Sequence, residues 1–251
     1  MNEFDITTID DARGGRAHLV RTEHVNWVLL QDDSGITLID GGYPKQVDAV
    51  LESIRDIGAD PEQIRAALVT HAHVDHIGGL GILAERYGFG VLMDPTEVPH
   101  ARREILQQAT PLDIAKISYR PRVLRWLSGV IRLGVLDKTG IPSSQAFGAS
   151  RPLDLPGRPV PVAIPGHTDG HSGYLVADGR VLVSGDALIT GHGISSTTGP
   201  QCLHHAFQHD LDRNRESLLA LRDLDADVIF PGHGDVHRGS VSDAVDIALS
   251  H

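Results

Sequence analysis

The stretch His71-Ala72-His73-Val74-Asp75-His76 places three imidazoles and one carboxylate within six residues. The apolar run 66–70 precedes it and Ile77 and two glycines follow, which predicts a buried strand, a loop and then a helix. Buried polar groups need partners, and imidazole and carboxylate are ligands that zinc accepts. On extended backbone His71 and His73 point the same way, while Asp75 and His76 can face a second ion. A solvated loop with chance histidines is the plainer alternative, and the pattern favours a metal site over it.

At all four fixed positions this stretch matches the His-x-His-x-Asp-His signature of the metallo-β-lactamase superfamily, which the chain resembles. Four other segments resemble further motifs of that family, in the family's order. They are Thr37-Leu38-Ile39-Asp40-Gly41-Gly42, Pro165-Gly166-His167-Thr168-Asp169-Gly170-His171, Val183-Ser184-Gly185-Asp186 and Phe230-Pro231-Gly232-His233-Gly234. Because the motifs run from residue 37 to residue 234, the resemblance covers nearly the whole chain.

The resemblance implies a pair of metal sites that share one carboxylate. One ion would be held by His71, His73 and His167, the second by Asp75, His76 and His233, and Asp186 would bridge both. Asp40 is expected to support the site through hydrogen bonds, and His171 to lie beside the ligands without binding metal.

Two divalent ions would bring four positive charges against two carboxylates, which favours a bridging hydroxide. Zinc is the expected metal, and iron and manganese accept similar ligands. Metal binding lowers the pKa of water toward about 7 and so supplies a nucleophile at neutral pH. Asp75 and Asp186 are the expected catalytic carboxylates, and Asp75 would orient the hydroxide or relay its proton to the leaving group.

The order of predicted elements indicates an α/β fold, and the resemblance implies a four-layer αββα sandwich with residues 1–251 as a single domain. Apolar runs predict strands at 24–30, 36–39, 66–70, 91–93, 160–164, 173–177, 181–183 and 228–230. Apolar spacing predicts helices at about 44–58, 211–224 and 241–249. Asp178-Gly179 predicts a tight hairpin turn between two of the strands.

From about residue 95 to residue 150 the pattern changes, and this segment carries none of the motifs. Val123, Leu127 and Val130 recur at helical spacing with arginines between them, which predicts a helical insertion. In the family that the chain resembles, such insertions often wall the substrate pocket, so a substrate lid is one expectation. A packing pair of helices, or a contact in a homodimer, is the other.

Length, net charge and cysteine content limit the kinds of binding partner and the cellular compartment that we expect. A chain of 251 residues can bury a large core without disulfides. The net charge of −11 argues against a general nucleic-acid surface or an anionic-membrane surface. Cys202 is the one cysteine, and the acidic start of the sequence lacks an apolar signal core. We therefore expect a cytoplasmic protein that binds a small molecule, with no nucleic-acid or membrane partner.

Five further histidines lie outside the motifs, and none of them is expected to bind metal. His192 either faces the pocket or lies in a loop, and His237 has no assigned role. The group of His204, His205 and His209 is expected on the surface, because no partner motif accompanies it.

The resemblance predicts a hydrolase of small-molecule esters, thioesters or lactones. Asp186 stands where some β-lactamases of the superfamily place a cysteine, which points away from antibiotic hydrolysis. The segment after it, Ala187–Thr190, lacks the tyrosine that lactonases of the family show there. The basic C-terminal region of glyoxalase-type thioesterases and the positive surface of the nuclease branch are not evident either.

Other classes stay open at this point. A mononuclear iron oxygenase resembling the persulfide dioxygenases would use positions equivalent to His71, His73, His167 and Asp186. A β-lactamase or a phosphodiesterase is a weaker alternative. A non-catalytic, partner-binding member is expected to have lost a ligand, and none is lost here.

Overall fold

Two β-sheets pack face to face in a computed structural model that describes residues 4–148 and 151–250. Helices cover the outer face of each sheet, which confirms the predicted four-layer αββα sandwich. Residues 1–3 and 251, at the ends of the predicted domain, and residues 149 and 150, at the end of the predicted insertion, lie outside the described residues.

The first sheet contains seven strands in sequence order. They are β1 Phe4–Asp10, β2 Arg16–Thr22, β3 Asn26–Asp32, β4 Gly35–Ile39, β5 Ile64–Leu68, β6 Gly90–Met93 and β7 Gln145–Ala146. Strands β1 to β4 pair antiparallel, whereas β4 to β7 run parallel. The carboxyl ends of β4 and β5 therefore lie at the same edge of the sheet.

The second sheet has the order β12-β11-β10-β9-β8. Its strands are β8 Val160–Ala163, β9 Ser172–Val176, β10 Val181–Gly185, β11 Val228–Pro231 and β12 His237–Arg238. Strands β10 and β11 run parallel, so their carboxyl ends also share an edge. Strands β9 and β10 form the antiparallel hairpin predicted around Asp178-Gly179.

Alternating side chains divide each strand between two cores. In β3, Val28 lies in the core between the sheets, whereas Trp27 lies in the core beneath the outer helices. In β10, Val183 faces the same inter-sheet core and Leu182 faces the opposite helical layer. Because side chains on a strand alternate in direction, runs of apolar residues are required where both faces are buried.

Eight α-helices are described. They are α1 Val47–Asp56, α2 Val74–Ile77, α3 Leu80–Tyr87, α4 Val98–Ala101, α5 Pro111–Ile117, α6 Pro121–Leu133, α7 Leu211–Ala220 and α8 Val241–Leu249. Helices α1 and α3 cover the first sheet, and α7 and α8 cover the second. None of these helices is both long enough and apolar enough to cross a bilayer.

The insertion consists of α4, α5 and α6, and it ends in the short edge strand β7. Helices α5 and α6 bury one face in a separate apolar cluster that contains Val123, Trp126 and Val130. Tyr43 is buried in that cluster, and Val74 of the His71–His76 stretch packs against it. The insertion therefore rests directly on the stretch that carries the predicted metal ligands.

Several elements differ from the sequence-based expectation, among them the short strands β7 and β12, which were not predicted. The hairpin of β1 and β2 was not predicted, although a signal exists in the loop that joins the strands. There Asp11 accepts hydrogen bonds from the backbone amides of Arg13 at 2.8 Å and Gly15 at 2.7 Å. The helix predicted over 211–224 ends at Ala220, and a 3₁₀ turn over Leu221–Asp223 follows it.

A buried histidine makes the stability of this sheet sensitive to pH. His18 in β2 is 2% exposed, and its Nδ1 lies 2.9 Å from Thr8 Oγ1. Burial, together with nearby Arg16, lowers the pKa of His18 from 6.5 to about 4. Between these two values the unfolded chain binds a proton that the folded chain does not, so stability falls as the pH falls through this window.

We predict that His18→Gln reduces this pH dependence. The loss in unfolding free energy between pH 7 and pH 4 should be smaller than in the unmodified protein by about 3 kcal/mol. Urea denaturation of the metal-free protein across this range measures the difference. His205→Gln, at an exposed position, is the control. Equal pH slopes in both variants would show that His18 is not the group responsible.

Candidate metal centre

The predicted ligands meet where strand ends from the two sheets come together. His71 and His73 follow β5, and Asp186 follows β10 directly. His233 follows β11, and His167 lies in the loop between β8 and β9. Two sheets whose parallel strands end at one edge thus bring together side chains more than 150 positions apart in sequence.

The first group contains His71, His73 and His167. Nε2 of His71 lies 3.0 Å from Nδ1 of His73, and Nε2 of His167 lies 3.1 Å and 3.0 Å from these two atoms. His71 and His167 are fully buried. Three ring nitrogens therefore point at a common centre, and they could hold one ion.

Hydrogen bonds on the far side of these rings fix which nitrogen carries the proton. The hydroxyl of Thr70 donates to Asp40 Oδ2 at 2.8 Å, so it accepts from Nδ1 of His71 at 3.1 Å. Nε2 of His73 donates to the carbonyl oxygen of Gln107 at 2.6 Å. The nitrogens of His71 and His73 that face each other are therefore unprotonated in the neutral rings. Lone pairs at this distance repel unless a cation lies between them, so the donor set fits a metal ion.

The second group contains Asp75, His76 and His233. Here too, a hydrogen bond on the far side of each imidazole ring fixes which nitrogen carries the proton. Nδ1 of His76 donates to Asp40 Oδ2 at 2.8 Å, and Nδ1 of His233 donates to the carbonyl oxygen of His24 at 2.6 Å. Both Nε2 atoms are thereby turned toward Asp75 Oδ2, at 3.9 Å and 3.5 Å. These three residues could hold a second ion.

Asp186 lies between the two groups and is 2% exposed. Its Oδ2 lies 3.6 Å from Nε2 of His167 and 3.1 Å from Nε2 of His233. Its Oδ1 lies 3.3 Å from Nε2 of His76 and has no hydrogen-bond partner among the described residues. One buried carboxylate therefore reaches nitrogens of both groups, as a bridging ligand must.

Burial and charge set different protonation states in the two groups. Burial and the neighbouring imidazoles hold the pKa of His71 and of His167 well below the usual value, and burial lowers the pKa of His73 to about 4. Burial is the largest influence on His76 and His233 and lowers the pKa, but the nearby carboxylates, Asp186 first among them, together outweigh it and raise the pKa of both rings. Neutral imidazoles in the first group are ready to bind metal, whereas an ion in the second group would displace protons.

Asp40 and His171 surround the ligands without entering either group. Asp40 accepts from the amide and hydroxyl of Thr70 and from His76, each at 2.8 Å. Nε2 of His171 accepts from the backbone amide of Asp186 at 3.1 Å, and its ring stacks on His71. Asp40 thus orients one ligand from each group, and His171 fixes the start of the Asp186 loop.

The other histidines lie in different surroundings. The ring of His192 lies 4.9 Å from the ring of His233, so it faces the centre. His204 is half-buried and accepts from the amide of Ala206, while His205 and His209 are exposed. His237 lies in β12. Among the described residues, none of these five belongs to a possible metal-binding group.

Sequence reasoning missed Glu97, a buried carboxylate that joins the two ligand loops. Glu97 is 1% exposed, and its Oε1 accepts from the amide of Ala72 and from Nδ1 of His100, both at 2.7 Å. Its Oε2 accepts from the hydroxyl of Thr168 at 2.8 Å. Burial alone raises the pKa of Glu97, but the bond from His100 and the other donors lower it, so the carboxylate is ionised. A glutamate three residues before a histidine was the available signal.

Two further missed residues contact the ligands directly. The carbonyl oxygen of Gln107 accepts from His73, and the side chain of Gln107 makes two hydrogen bonds to Asp169, at 2.5 Å and 2.9 Å. The hydroxyl of Tyr43 lies 3.5 Å from Asp75 Oδ2. Their partners are distant in sequence, so no local pattern marked them.

Gly232 shows how closely the backbone approaches this centre. A Cβ atom at this position would lie 2.2 Å from Asp186 Oδ1 and 3.0 Å from a ring carbon of His76. Any larger residue would displace the shared carboxylate, so the position requires glycine.

The sequence is similar to those of several known proteins. A family model described as the metallo-beta-lactamase superfamily matches residues 20–233. The probable metallo-hydrolase YflN of Bacillus subtilis is 27% identical over 231 residues, which cover 89% of this chain and 84% of that protein. The hydroxyacylglutathione hydrolase GloC of Haemophilus influenzae is 22% identical over 215 residues, which cover 82% of this chain and 84% of that protein.

Solved structures show the same fold. A metallo-beta-lactamase family protein from Thermus thermophilus superposes with a TM-score of 0.61 at 21% identity. The superposition covers 98% of this chain and 78% of that one. At this identity the likeness concerns the fold alone.

We predict that Glu97→Gln weakens metal binding by the first group. The amide nitrogen of glutamine cannot accept a hydrogen bond, so one ligand loop loses its anchor. Changes to residues that orient metal ligands typically weaken affinity by about 10- to 100-fold. Metal titration against a competing chelator measures the effect. Glu104→Gln, at an exposed glutamate of the same insertion, should leave affinity unchanged. Equal affinities in the two variants would contradict the role of Glu97.

Proposed function

The chain belongs to the metallo-beta-lactamase superfamily, and we propose that it is a dinuclear hydrolase of a small-molecule ester, thioester or lactone. Relatives named as metallo-hydrolases indicate a metal-dependent hydrolase in general. The number of ions and the substrate class are the proposed part, and the following observations support them.

The single observation that carries the proposal is the position of Asp186 between two complete ligand groups. The first group offers three imidazole nitrogens, and the second offers two imidazoles and a carboxylate. This nitrogen and oxygen donor set suits zinc, and it also accepts iron or manganese. Divalent ions bound there supply a nucleophile at neutral pH by lowering the pKa of water, and they polarise the carbonyl oxygen of a substrate.

In this proposal Asp75 transfers the proton from the attacking water to the leaving group. Its side chain is 16% exposed, whereas Asp186 is almost fully enclosed, so Asp75 is the carboxylate that a substrate can approach. Its carboxylate can accept a proton from the attacking water and return it to the leaving group. The hydroxyl of Tyr43 lies 3.5 Å from Asp75 Oδ2 and helps to hold the side chain in place.

The insertion forms one wall of the proposed substrate site. Its residue Gln107 is bonded both to His73 and to the loop that carries His167. Between the insertion and the segment 206–209 lies a cavity of about 160 Å³, lined in part by Leu106, Phe207 and Gln208. None of the predicted metal ligands lines this cavity, so we assign it to a part of the substrate remote from the reacting bond. We therefore favour the lid over a dimer contact, and a small molecule as the partner.

The bridging position separates this proposal from antibiotic hydrolysis. It carries Asp186, where some β-lactamases of the superfamily place a cysteine. The likeness to the metallo-beta-lactamase SMB-1, at 20% identity, concerns the fold alone and does not argue for that activity. We therefore favour esters, thioesters and lactones over β-lactams.

We predict that Asp186→Ala loses bound metal and hydrolytic activity together. The purified protein should contain two divalent ions per chain, because both ligand groups are complete. Elemental analysis and turnover are measured on the same samples. His204→Ala, which alters a residue outside both groups, should match the unmodified protein. Normal turnover in Asp186→Ala would contradict the bridging role.

A substrate screen tests the reaction class. The metal-loaded protein should hydrolyse aryl esters, thioesters or lactones faster than β-lactams or phosphodiesters, and extensive chelation should abolish the activity. Oxygen consumption is recorded in parallel. One iron per chain with oxygen uptake and no hydrolysis would support the oxygenase class and contradict the hydrolase.

A further inference from the structure

His192 lies at the edge of the second ligand group, in the segment that follows β10. Its ring lies 4.9 Å from the ring of His233, at an interplanar angle of 85°. Trp126 of the insertion lies 5.4 Å from it, and Phe207 lies 5.6 Å from it. The imidazole therefore lies between His233, a predicted metal ligand, and the rings of Trp126 and Phe207.

Hydrogen bonds and a close backbone contact fix the segment of residues 190–193, which carries His192, beside the second ligand group. The backbone amide of Thr190 donates to the carbonyl oxygen of His233 at 3.1 Å, and its hydroxyl donates to the carbonyl oxygen of Asp235 at 2.5 Å. A Cβ atom on Gly193 would lie 2.5 Å from the indole of Trp126. Glycine at this position lets the backbone contact the insertion closely, so His192 is placed by both sides of the site.

The hydrogen bonds of His192 leave one donor unused. Its Nδ1 accepts from the amide of Ile194 at 3.4 Å, so in the neutral ring Nε2 carries the hydrogen. Among residues 4–148 and 151–250, no side chain or carbonyl accepts a hydrogen bond from this Nε2. The hydrogen of Nε2 is therefore free of protein partners in the part of the chain that the structure describes, and a bound molecule can accept it.

We propose that His192 binds the substrate by donating its Nε2–H to a substrate oxygen beside the second ligand group. This rests on the proposed hydrolase function. The rings of His233, Trp126 and Phe207 lie 4.9–5.6 Å from the imidazole. A carbonyl or carboxylate oxygen of the bound molecule would accept the hydrogen, and Trp126 and Phe207 would contact the apolar group attached to it.

A pair of substitutions separates hydrogen bonding from simple packing. His192→Phe keeps a flat ring but removes the donor, whereas His192→Gln restores an N–H group near the position of Nε2. His205→Phe, at an exposed position on the same segment, is the control. Each protein is loaded with zinc, and its metal content is measured first. All four proteins should bind equal amounts of metal, since His192 belongs to neither group.

Binding is then measured by calorimetry with butyrate, the product that a butyrate ester would release. His192→Phe should bind butyrate about tenfold more weakly than the unmodified protein, as the loss of one hydrogen bond predicts. His192→Gln should recover most of that loss. On a butyrate ester, kcat/KM of His192→Phe should fall by about 10- to 100-fold, again with recovery in His192→Gln.

The outcomes distinguish this inference from the proposed function. Failure of the unmodified protein to hydrolyse any ester would end the proposed function, while butyrate binding would still test His192. Equal butyrate affinity in His192→Phe and the unmodified protein would overturn the inference, as would equal losses in the phenylalanine and glutamine variants. Absence of butyrate binding in the loaded, unmodified protein would also count against it.

Discussion

The first ligand group brings lone pairs of neighbouring imidazole rings close enough to repel each other, and a bound cation would remove this repulsion. In the first group, nitrogens of His71 and His73 that carry lone pairs are held 3.0 Å apart, and Nε2 of the fully buried His167 lies 3.0–3.1 Å from both. Hydrogen bonds from the far side of the rings prevent His71 and His73 from turning their protons inward. A cation converts this repulsion into binding, so the residues around the ligands matter as much as the ligands themselves.

Much of the fold and most of the candidate site were predictable from local sequence. The spacing within residues 71–76 places ligands on one bend, and apolar runs ending in His233 or Asp186 place the others at strand ends. Glu97, Gln107 and Tyr43 could not be found in this way, because each meets the centre through partners 25 or more residues distant. The hairpin of β1 and β2 was missed because its residues alternate weakly, although the loop from Asp11 to Gly15 carries a turn signal.

Residues of the insertion contact both the loops that carry predicted metal ligands and His192. Its first residues supply Glu97 and Gln107, which tie the loop of His73 to the loop of His167. Its last helix places Trp126 beside His192. A segment that sequence patterns describe as a generic pair of amphipathic helices therefore orients predicted ligands on one side of the centre and packs against His192 on the other.

Anomalous diffraction from crystals of the zinc-loaded protein tests the two-ion centre most directly. Data collected on both sides of the zinc absorption edge should show two peaks per chain. One should lie among His71, His73 and His167, and the other among Asp75, His76 and His233, with the carboxylate of Asp186 between them. A single peak under saturating zinc, or peaks away from Asp186, would contradict a shared dinuclear centre.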